Sequence, residues 1–270
     1  MIEPSKLLAF LRRDWALYCR RPFDVAASLA YVTYSCASFY FISLLVDPQA
    51  SATLASYRSG YFPFVLLGLV VSQYVQAALS SVPARVREEQ LFGSLEAMLA
   101  SPTRVVTILV GVSMWSYIWA TIQAVGYLLV GVVIFRLDLS HMNVAATLVL
   151  AVLVGMVFSG LGVLATSVAL VWKDTNPINW ILGGVMKLVS GVFVPVAVLP
   201  GSLQVLARWM PLTYALEGFR RAILAGTSLH ELLPACTVLG LFAVVLWPLA
   251  VISVTSTLTH LKLTGRLSFR

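Results

Sequence analysis

Six long stretches of apolar residues, almost free of charged side chains, recur along this chain of 270 residues. A helix needs about 20 consecutive apolar residues to cross the hydrocarbon core of a bilayer. Each stretch reaches that length, and polar or proline-containing segments separate the stretches. The predicted spans are residues 25–46, 61–82, 105–135, 144–172, 178–199 and 232–260.

The composition excludes a water-soluble fold. Hydrophobic residues make up 60% of the chain and charged residues only 11%, whereas a soluble domain carries about 25% charged residues. A soluble protein of this size could not bury that much apolar surface. The sequence therefore predicts an all-α membrane protein with six transmembrane helices, folded as a single domain over residues 1–270.

The distribution of Lys and Arg predicts the orientation in the membrane, because these residues accumulate in cytoplasmic loops. With six spans, twelve of them lie on one side and five on the other, and Lys187 lies inside a span. We expect both termini in the cytoplasm of a bacterium and the chain in its cytoplasmic (inner) membrane, surrounded by lipid. The net charge of +7 arises from these loops, so no nucleic-acid partner is expected.

Residues 5–21 have the pattern of an amphipathic helix. Leu7, Leu11, Trp15 and Tyr18 recur at intervals of three or four residues, and the arginines of this segment lie off that stripe. Such a helix lies in the membrane interface with its apolar face toward the lipid. The sequence predicts an N-terminal interface helix on the cytoplasmic side.

Residues 200–231, between the fifth and sixth spans, are too polar to cross the membrane and too apolar for an ordinary loop. Pro195 and Pro200 interrupt the preceding helix, and Pro211 separates two short helices predicted at residues 202–209 and 213–224. Irregular backbone at membrane depth survives only inside protein or along a cavity. We therefore expect an external re-entrant helical hairpin that caps the outer end of a pathway.

Motifs for catalysis or cofactor binding are missing from the sequence. It contains no G-x-x-x-x-G-K-[ST] loop, no H-E-x-x-H and only three histidines, so we expect no nucleotide, metal or other cofactor bound by this chain. Glu88 and Glu89 resemble the paired glutamates of prenyl-processing intramembrane proteases. However, Gly93 stands where those enzymes carry arginine, and the pair precedes a loop. The chain is predicted not to be an enzyme.

The loop of residues 84–104, between the second and third spans, holds the densest cluster of charges. Its segment REEQLFGSLEAMLASP, residues 87–102, mixes acidic and apolar residues before a proline. This pattern predicts a short helix on the cytoplasmic face of the membrane. It is either a solvated connector or, as its apolar content favours, a surface that binds a partner.

Two motifs of the chain resemble those of a known family. The first is the pattern E-x-x-x-G-S-L-E-x-x-L-x-S-P over residues 89–102. The second comprises SGVFVP at residues 190–195, LP at 199–200, PLTY at 211–214 and Arg220. Together they resemble the membrane subunits of type-two ATP-binding-cassette (ABC) exporters, in the branch that exports drugs, lipids and lipo-oligosaccharides.

The resemblance implies partners and roles for particular residues. The loop after the second span would be a coupling helix that docks on a separate P-loop ATPase subunit, which binds ATP and Mg. A second permease subunit, expected to be identical, would complete the pathway. The implied ATPase-coupling residues are Arg87, Glu88, Glu89, Gly93, Leu95, Glu96 and Leu99, and the implied external gate residues are Pro195, Pro200, Pro211 and Tyr214.

Three polar residues inside the predicted spans are candidates for a substrate pathway. Lys187 is charged and deep in the fifth span, where a charge usually faces a cavity or a partner. Gln73 and Gln76 share a face of the second span. The alternative is structural, with Lys187 bonded to helix carbonyls and the amides joining helices. A stand-alone secondary transporter or channel is the alternative function, but it would need acidic residues within the spans.

Overall fold

The computed structural model describes residues 4–20, 22–45, 60–94, 98, 105–171 and 176–263. Within these ranges the chain is helical and forms no strand, as predicted for an all-α membrane protein. The α-helices are α1 (Pro4–Cys19), α2 (Pro22–Leu45), α3 (Tyr61–Gln76), α4 (Val82–Leu91), α5 (Val105–Val133), α6 (Val144–Val171), α7 (Asn176–Val189), α8 (Gly201–Arg208), α9 (Pro211–Leu224) and α10 (Leu233–Leu263).

Among the described residues, five helical stretches are long and apolar enough to cross a membrane. They are Pro22–Leu45, Tyr61–Leu91, Thr107–Val133, Val144–Val171 and Leu233–His260. Their 24 to 31 residues correspond to about 36–46 Å at 1.5 Å per residue, which exceeds the hydrocarbon thickness of about 30 Å. The structure therefore confirms a multi-pass helical membrane protein.

The continuous helix predicted over residues 178–199 does not form. Helix α7 covers only Asn176–Val189, about 21 Å, and it stops because Gly191 adopts a left-handed conformation with a φ of +88°. Only glycine enters that region without a steric penalty. A 3-10 turn at Val196–Val198 follows, and the chain then enters α8.

The helix of the second predicted span is longer than expected. It passes residue 82, where the prediction ended, and reaches Leu91 through a π turn at Ala77–Ser81. In the π turn the Val82 amide donates to the Ala77 carbonyl oxygen. Pro83 explains the turn, because it has no N–H to donate to the Leu79 carbonyl in a regular α-helix. We call the end of the bundle beyond this turn the α4 end.

The apolar side chains form two main clusters. The large core contains Leu67, Tyr127, Phe158 and Leu216, all buried, and is built from α2, α3, α5, α6, α7, α9 and α10. The small core lies toward the α4 end. Its members come from α4, α5, α6 and α10, and they are Val86, Ile108, Leu109, Val112, Val163, Leu170, Ala250, Val254 and Leu258.

Helix α1 packs lengthwise against α5. Phe10 covers Gly111 so closely that a β-carbon on that glycine would collide with its ring. Tyr18 lies 4.9 Å and 5.1 Å from the ring centres of Trp115 and Trp119. Trp15, on the predicted apolar stripe, is 61% exposed, and the orientation of this stripe toward the lipid stays a prediction. The buried face runs through Phe10, Asp14 and Tyr18 because it follows the surface of α5.

The two short helices predicted between the last spans are present as α8 and α9. Helix α9 is largely buried against α3, α6 and α10. At its end, the backbone amide of Asn143 donates to the Ala222 carbonyl at 2.9 Å. This bond ties α9 to the loop before α6, at the opposite end of the bundle from α4.

Candidate functional site

Four charged side chains join α1 to α4 at the α4 end of the bundle. Arg85 donates to one carboxylate oxygen of Asp14 at 3.0 Å, and Arg13 binds the same oxygen at 3.1 Å. Arg13 also pairs with Glu89 at 2.7 Å. We call these four residues the Asp14 network. It connects the N-terminal helix to the charged continuation of the second span.

The Asp14 network is strong because its centre is buried. Asp14 has 0% exposed surface, and Arg85 and Glu89 are also mostly covered. A buried carboxylate is tolerated only when cations and donors surround it, and removing one partner of such a pair costs about 3–5 kcal/mol. Separating α4 from α1 would therefore be costly, because it would leave the buried Asp14 carboxylate without Arg85.

The predicted coupling residues Arg87, Glu88 and Glu89 lie on α4, which continues the helix of the second span. Arg87 donates to the Ala169 carbonyl at 3.2 Å, near the negative end of the α6 dipole. Residues 88–91, which the resemblance included in the coupling helix, form the last turn of α4, and most of the short helix predicted from Gly93–Ser94 to Pro102 lies outside the described residues.

A turn follows α4 at Phe92 and Gly93. Gly93 adopts a φ of +73°, the usual conformation of a glycine that ends a helix. The Ser94 hydroxyl donates to the backbone carbonyl of Glu89 at 3.1 Å and also bonds its carboxylate. Phe92 at the tip is 83% exposed. The turn therefore presents an apolar side chain beside ordered acidic groups.

Beyond the turn, Met98 packs against the small core. The other predicted coupling residues, Leu95, Glu96 and Leu99, lie outside the described residues.

The candidate pathway residues occupy two neighbouring helices. The Gln73 amide donates to the Leu69 carbonyl of its own helix at 3.2 Å and interacts with the Tyr127 hydroxyl inside the bundle. Gln76, one turn further, is exposed. Lys187 is partly exposed and lies in the last turn of α7, where helix carbonyls favour a cation.

Close contacts between α3 and α7 place these residues at a common depth. A β-carbon on Gly68 would lie 2.6 Å from the Val192 carbonyl oxygen, and one on Gly183 would lie 3.8 Å from Leu79. The two helices therefore run antiparallel, and Lys187 lies at about the level of Gln73. Gln73 faces inward toward Tyr127, whereas Gln76 and Lys187 reach the surface of the chain.

The predicted gate residues mark the beginnings of short elements. Pro195 precedes the 3-10 turn, Pro200 precedes α8, and Pro211 is the first residue of α9. The Tyr214 hydroxyl donates to the Arg208 carbonyl at 3.0 Å, which holds α8 and α9 together.

Arg220, on α9, was seen in the sequence only as part of a motif, and the structure gives it a role. Its guanidinium is 4% exposed and donates to the backbone carbonyls of Phe64, Gly191 and Val192 at 2.9–3.3 Å. The non-helical backbone after α7 is thus satisfied inside apolar protein, as irregular backbone in a membrane requires.

The sequence analysis also missed the Asp14 network. One signal was available, because Asp14 lies four residues from both Phe10 and Tyr18 and so shares a helical face with two aromatic residues. An acidic residue on an apolar face predicts a buried cation nearby. The sequence did not indicate which arginine would reach it.

The sequence profile of a family described as ABC-2 type transporter matches residues 5–224. No curated protein matches the chain. The matched region includes all of α1 but its first residue, the Asp14 network, residues 84–104 and α9.

Proposed function

This chain belongs to the ABC-2 type transporter family, and on that basis we propose that it is the membrane subunit of an ATP-driven exporter that couples to a separate ATPase. Members of this family are membrane transport permeases and are not themselves catalytic. The proposal concerns the direction of transport, the ATPase partner, and the class of substrate.

The observation that carries the proposal is the unbroken connection from membrane to charged turn. Helix α3 continues through the π turn into α4, which bears Glu88 and Glu89 and ends at the exposed Phe92. The Asp14 network fixes this extension to α1. A push by a partner on the turn at residues 92–93 would therefore act on a membrane helix and on α1 together.

We further propose a sixth crossing, made by α7 and the irregular segment after it. Helix α6 ends beside Arg87, at the α4 end, whereas α10 begins near the loop that Asn143 ties to α9. The chain between them has to pass from one end of the bundle to the other. A sixth crossing places both termini and the α4 end on the cytoplasmic side, in agreement with the Lys and Arg distribution.

The proposed complex contains two copies of this permease and two separate P-loop ATPase subunits, which bind ATP and Mg. The substrate pathway would run between the permeases, along the surface that carries Gln76 and Lys187, with Gln73 behind them. Residues 195–214, including Pro195, Pro200, Pro211 and Tyr214, would close its outer end. We propose a drug-like molecule, a lipid or a glycolipid or saccharide as substrate.

The proposal is tested by purifying the full chain with the P-loop ATPase encoded by a neighbouring reading frame. We expect the two to co-purify and the permease in lipid vesicles to raise the rate of ATP hydrolysis. The variant Leu95→Ala/Glu96→Gln should abolish that increase, whereas Leu241→Ala, an exposed site on α10, should preserve it.

Retention of the full increase by the double variant would refute docking at the coupling segment. Failure of any P-loop ATPase to bind would favour the stand-alone transporter.

A further inference from the structure

The large and small cores meet at one level of the bundle. Every helix that contributes to both cores changes from one to the other over a short interval. These intervals are Ala78 to Val86 in α3–α4, Val112 to Ala120 in α5, Phe158 to Val163 in α6, and Ala243 to Ala250 in α10. The bundle is thus two packed bodies in series rather than one continuous core.

Helix irregularities coincide with this level in three of the helices. The π turn at Ala77–Ser81 lies in the first, Gly160 and Gly162 lie in α6, and Pro248 lies inside α10. Glycines, prolines and π turns are the usual sites at which helices bend. Each irregularity weakens its own helix at the boundary between the two cores.

These irregularities touch one another. A β-carbon on Gly162 would lie 3.3 Å from the Cα of Ala78 and 2.6 Å from the Tyr117 hydroxyl oxygen. One on Gly160 would lie 3.2 Å from the β-carbon of Leu246. Residues 77–81, 160–162 and 246–248 therefore form a single layer, which we call the defect layer.

Side chains in the defect layer also bind helix carbonyls. The Tyr117 hydroxyl donates to the Phe158 carbonyl at 2.7 Å, and the Trp247 indole N–H donates to the Met156 carbonyl at 3.1 Å. In a regular α-helix these two carbonyls accept from the amides of residues 162 and 160. If bending lengthens the backbone hydrogen bonds from those amides, each carbonyl still accepts from its side-chain donor. Bending α6 here therefore costs little.

We propose that the defect layer is a flexural joint, at which the small core moves as a body relative to the large core. The joint bends several helices together because their weak points lie in contact. It is a conformational property of the chain alone, so it stands or falls independently of the ATPase partner.

Amide hydrogen exchange on the full chain in lipid nanodiscs tests the joint. We expect the amides of residues 77–82, 160–164, 247 and 249–252 to exchange about fivefold faster than the turns on either side. The variant Pro83→Ala restores the missing N–H. It should slow exchange about fivefold at residues 77–82 and also at residues 160–164 in α6. Pro234→Ala, in the first turn of α10, is the matched control and should change neither.

The variant Pro248→Ala makes the same change in α10 and should slow exchange at residues 77–82, in the π turn. This second variant still tests the joint if Pro83→Ala does not fold. Slowing confined to the mutated helix would overturn a shared joint. Wild-type exchange at the defect layer no faster than in the adjacent turns would overturn it as well.

Discussion

The Arg220 guanidinium lies 3.4 Å above the centre of the Phe64 ring while donating to the backbone carbonyl of the same phenylalanine. One side chain of α9 thereby holds both the side chain and the backbone of the first turn of α3. The same guanidinium binds the carbonyls of Gly191 and Val192 after α7. Three segments that are distant in sequence thus depend on a single cation.

Arg220→Ala is therefore expected to destabilise the protein strongly. The carbonyls of Gly191 and Val192 lose the donor that Arg220 gives them, and each unsatisfied group costs about 1–3 kcal/mol, whereas the Phe64 carbonyl still accepts the helical N–H of Gly68. A loss of about 3 kcal/mol corresponds to a fall in Tm of roughly 6–12 °C, measurable by thermal unfolding in detergent. Arg221→Ala is the control, since Arg221 is half exposed and pairs only with Glu217 at the surface. Equal Tm values for the two variants would contradict the assigned role.

Asp14→Asn should destabilise the docking of α1 on the bundle. The substitution keeps the shape of the side chain but leaves Arg85 without its buried counter-charge, at a cost of about 3 kcal/mol. Asp138→Asn is matched in chemistry but lies in an exposed loop, where one oxygen accepts the Ser140 amide. Limited proteolysis of residues 1–20 should accelerate in the first variant alone, and unchanged cleavage of it would argue against the network.

Gly68→Ala should be poorly tolerated. The added β-carbon would lie 2.6 Å from the Val192 carbonyl oxygen, and overpacking of this kind costs about 1–3 kcal/mol. Gly126→Ala meets nothing within 4 Å and should be neutral or stabilising by up to about 1 kcal/mol, because alanine favours helix. Thermal unfolding gives the Tm of each variant. A Tm of Gly68→Ala that is no lower than that of Gly126→Ala would contradict the prediction.

Replacement of Lys187 separates a pathway role from a structural one. If the ammonium contacts substrate, Lys187→Met should reduce export in cells by about tenfold, equivalent to about 1.4 kcal/mol, and Lys187→Arg should retain most of it. Protein levels of both variants are measured in parallel. Normal export by the methionine variant would favour the structural alternative, in which the ammonium is held by helix carbonyls.

Cysteine labelling tests the proposed sidedness. In a background with Cys19→Ser, which removes the exposed native thiol, Phe92→Cys should resist a membrane-impermeant reagent in intact cells and react after lysis. Trp209→Cys, equally accessible at the other end of the bundle, should react in intact cells. The reverse pattern would invert the orientation and remove the docking surface from the cytoplasm.

The helices could be predicted from the sequence because apolar length is a direct physical requirement for crossing lipid. Helices α8 and α9 were predicted within two residues, since Pro200 and Pro211 mark their starts. The early end of α7 was not predicted. Residues 190–199 are as apolar as a span, and the left-handed Gly191 that stops the helix is stabilised by Arg220, 29 residues away.

The contacts of the charged residues could not be predicted either, because they also join segments that are distant in sequence. The run of Arg87, Glu88 and Glu89 was visible as a cluster of charges. Which charges pair, however, depends on how α1 packs along α5. The packing of Phe10 on Gly111 sets that position. Asp14 takes the buried place opposite Arg85, and the neighbouring Trp15 is exposed on the stripe that was predicted to face the lipid.

The separation of Arg220 from Phe64 by 156 residues has a consequence for biosynthesis. As the ribosome delivers the chain, α3 enters the bilayer long before α9 has been translated. The turn after α7 likewise emerges before its donor. Both segments must therefore remain incompletely packed until then, and the half of the bundle opposite the α4 end is completed only when α9 has been made.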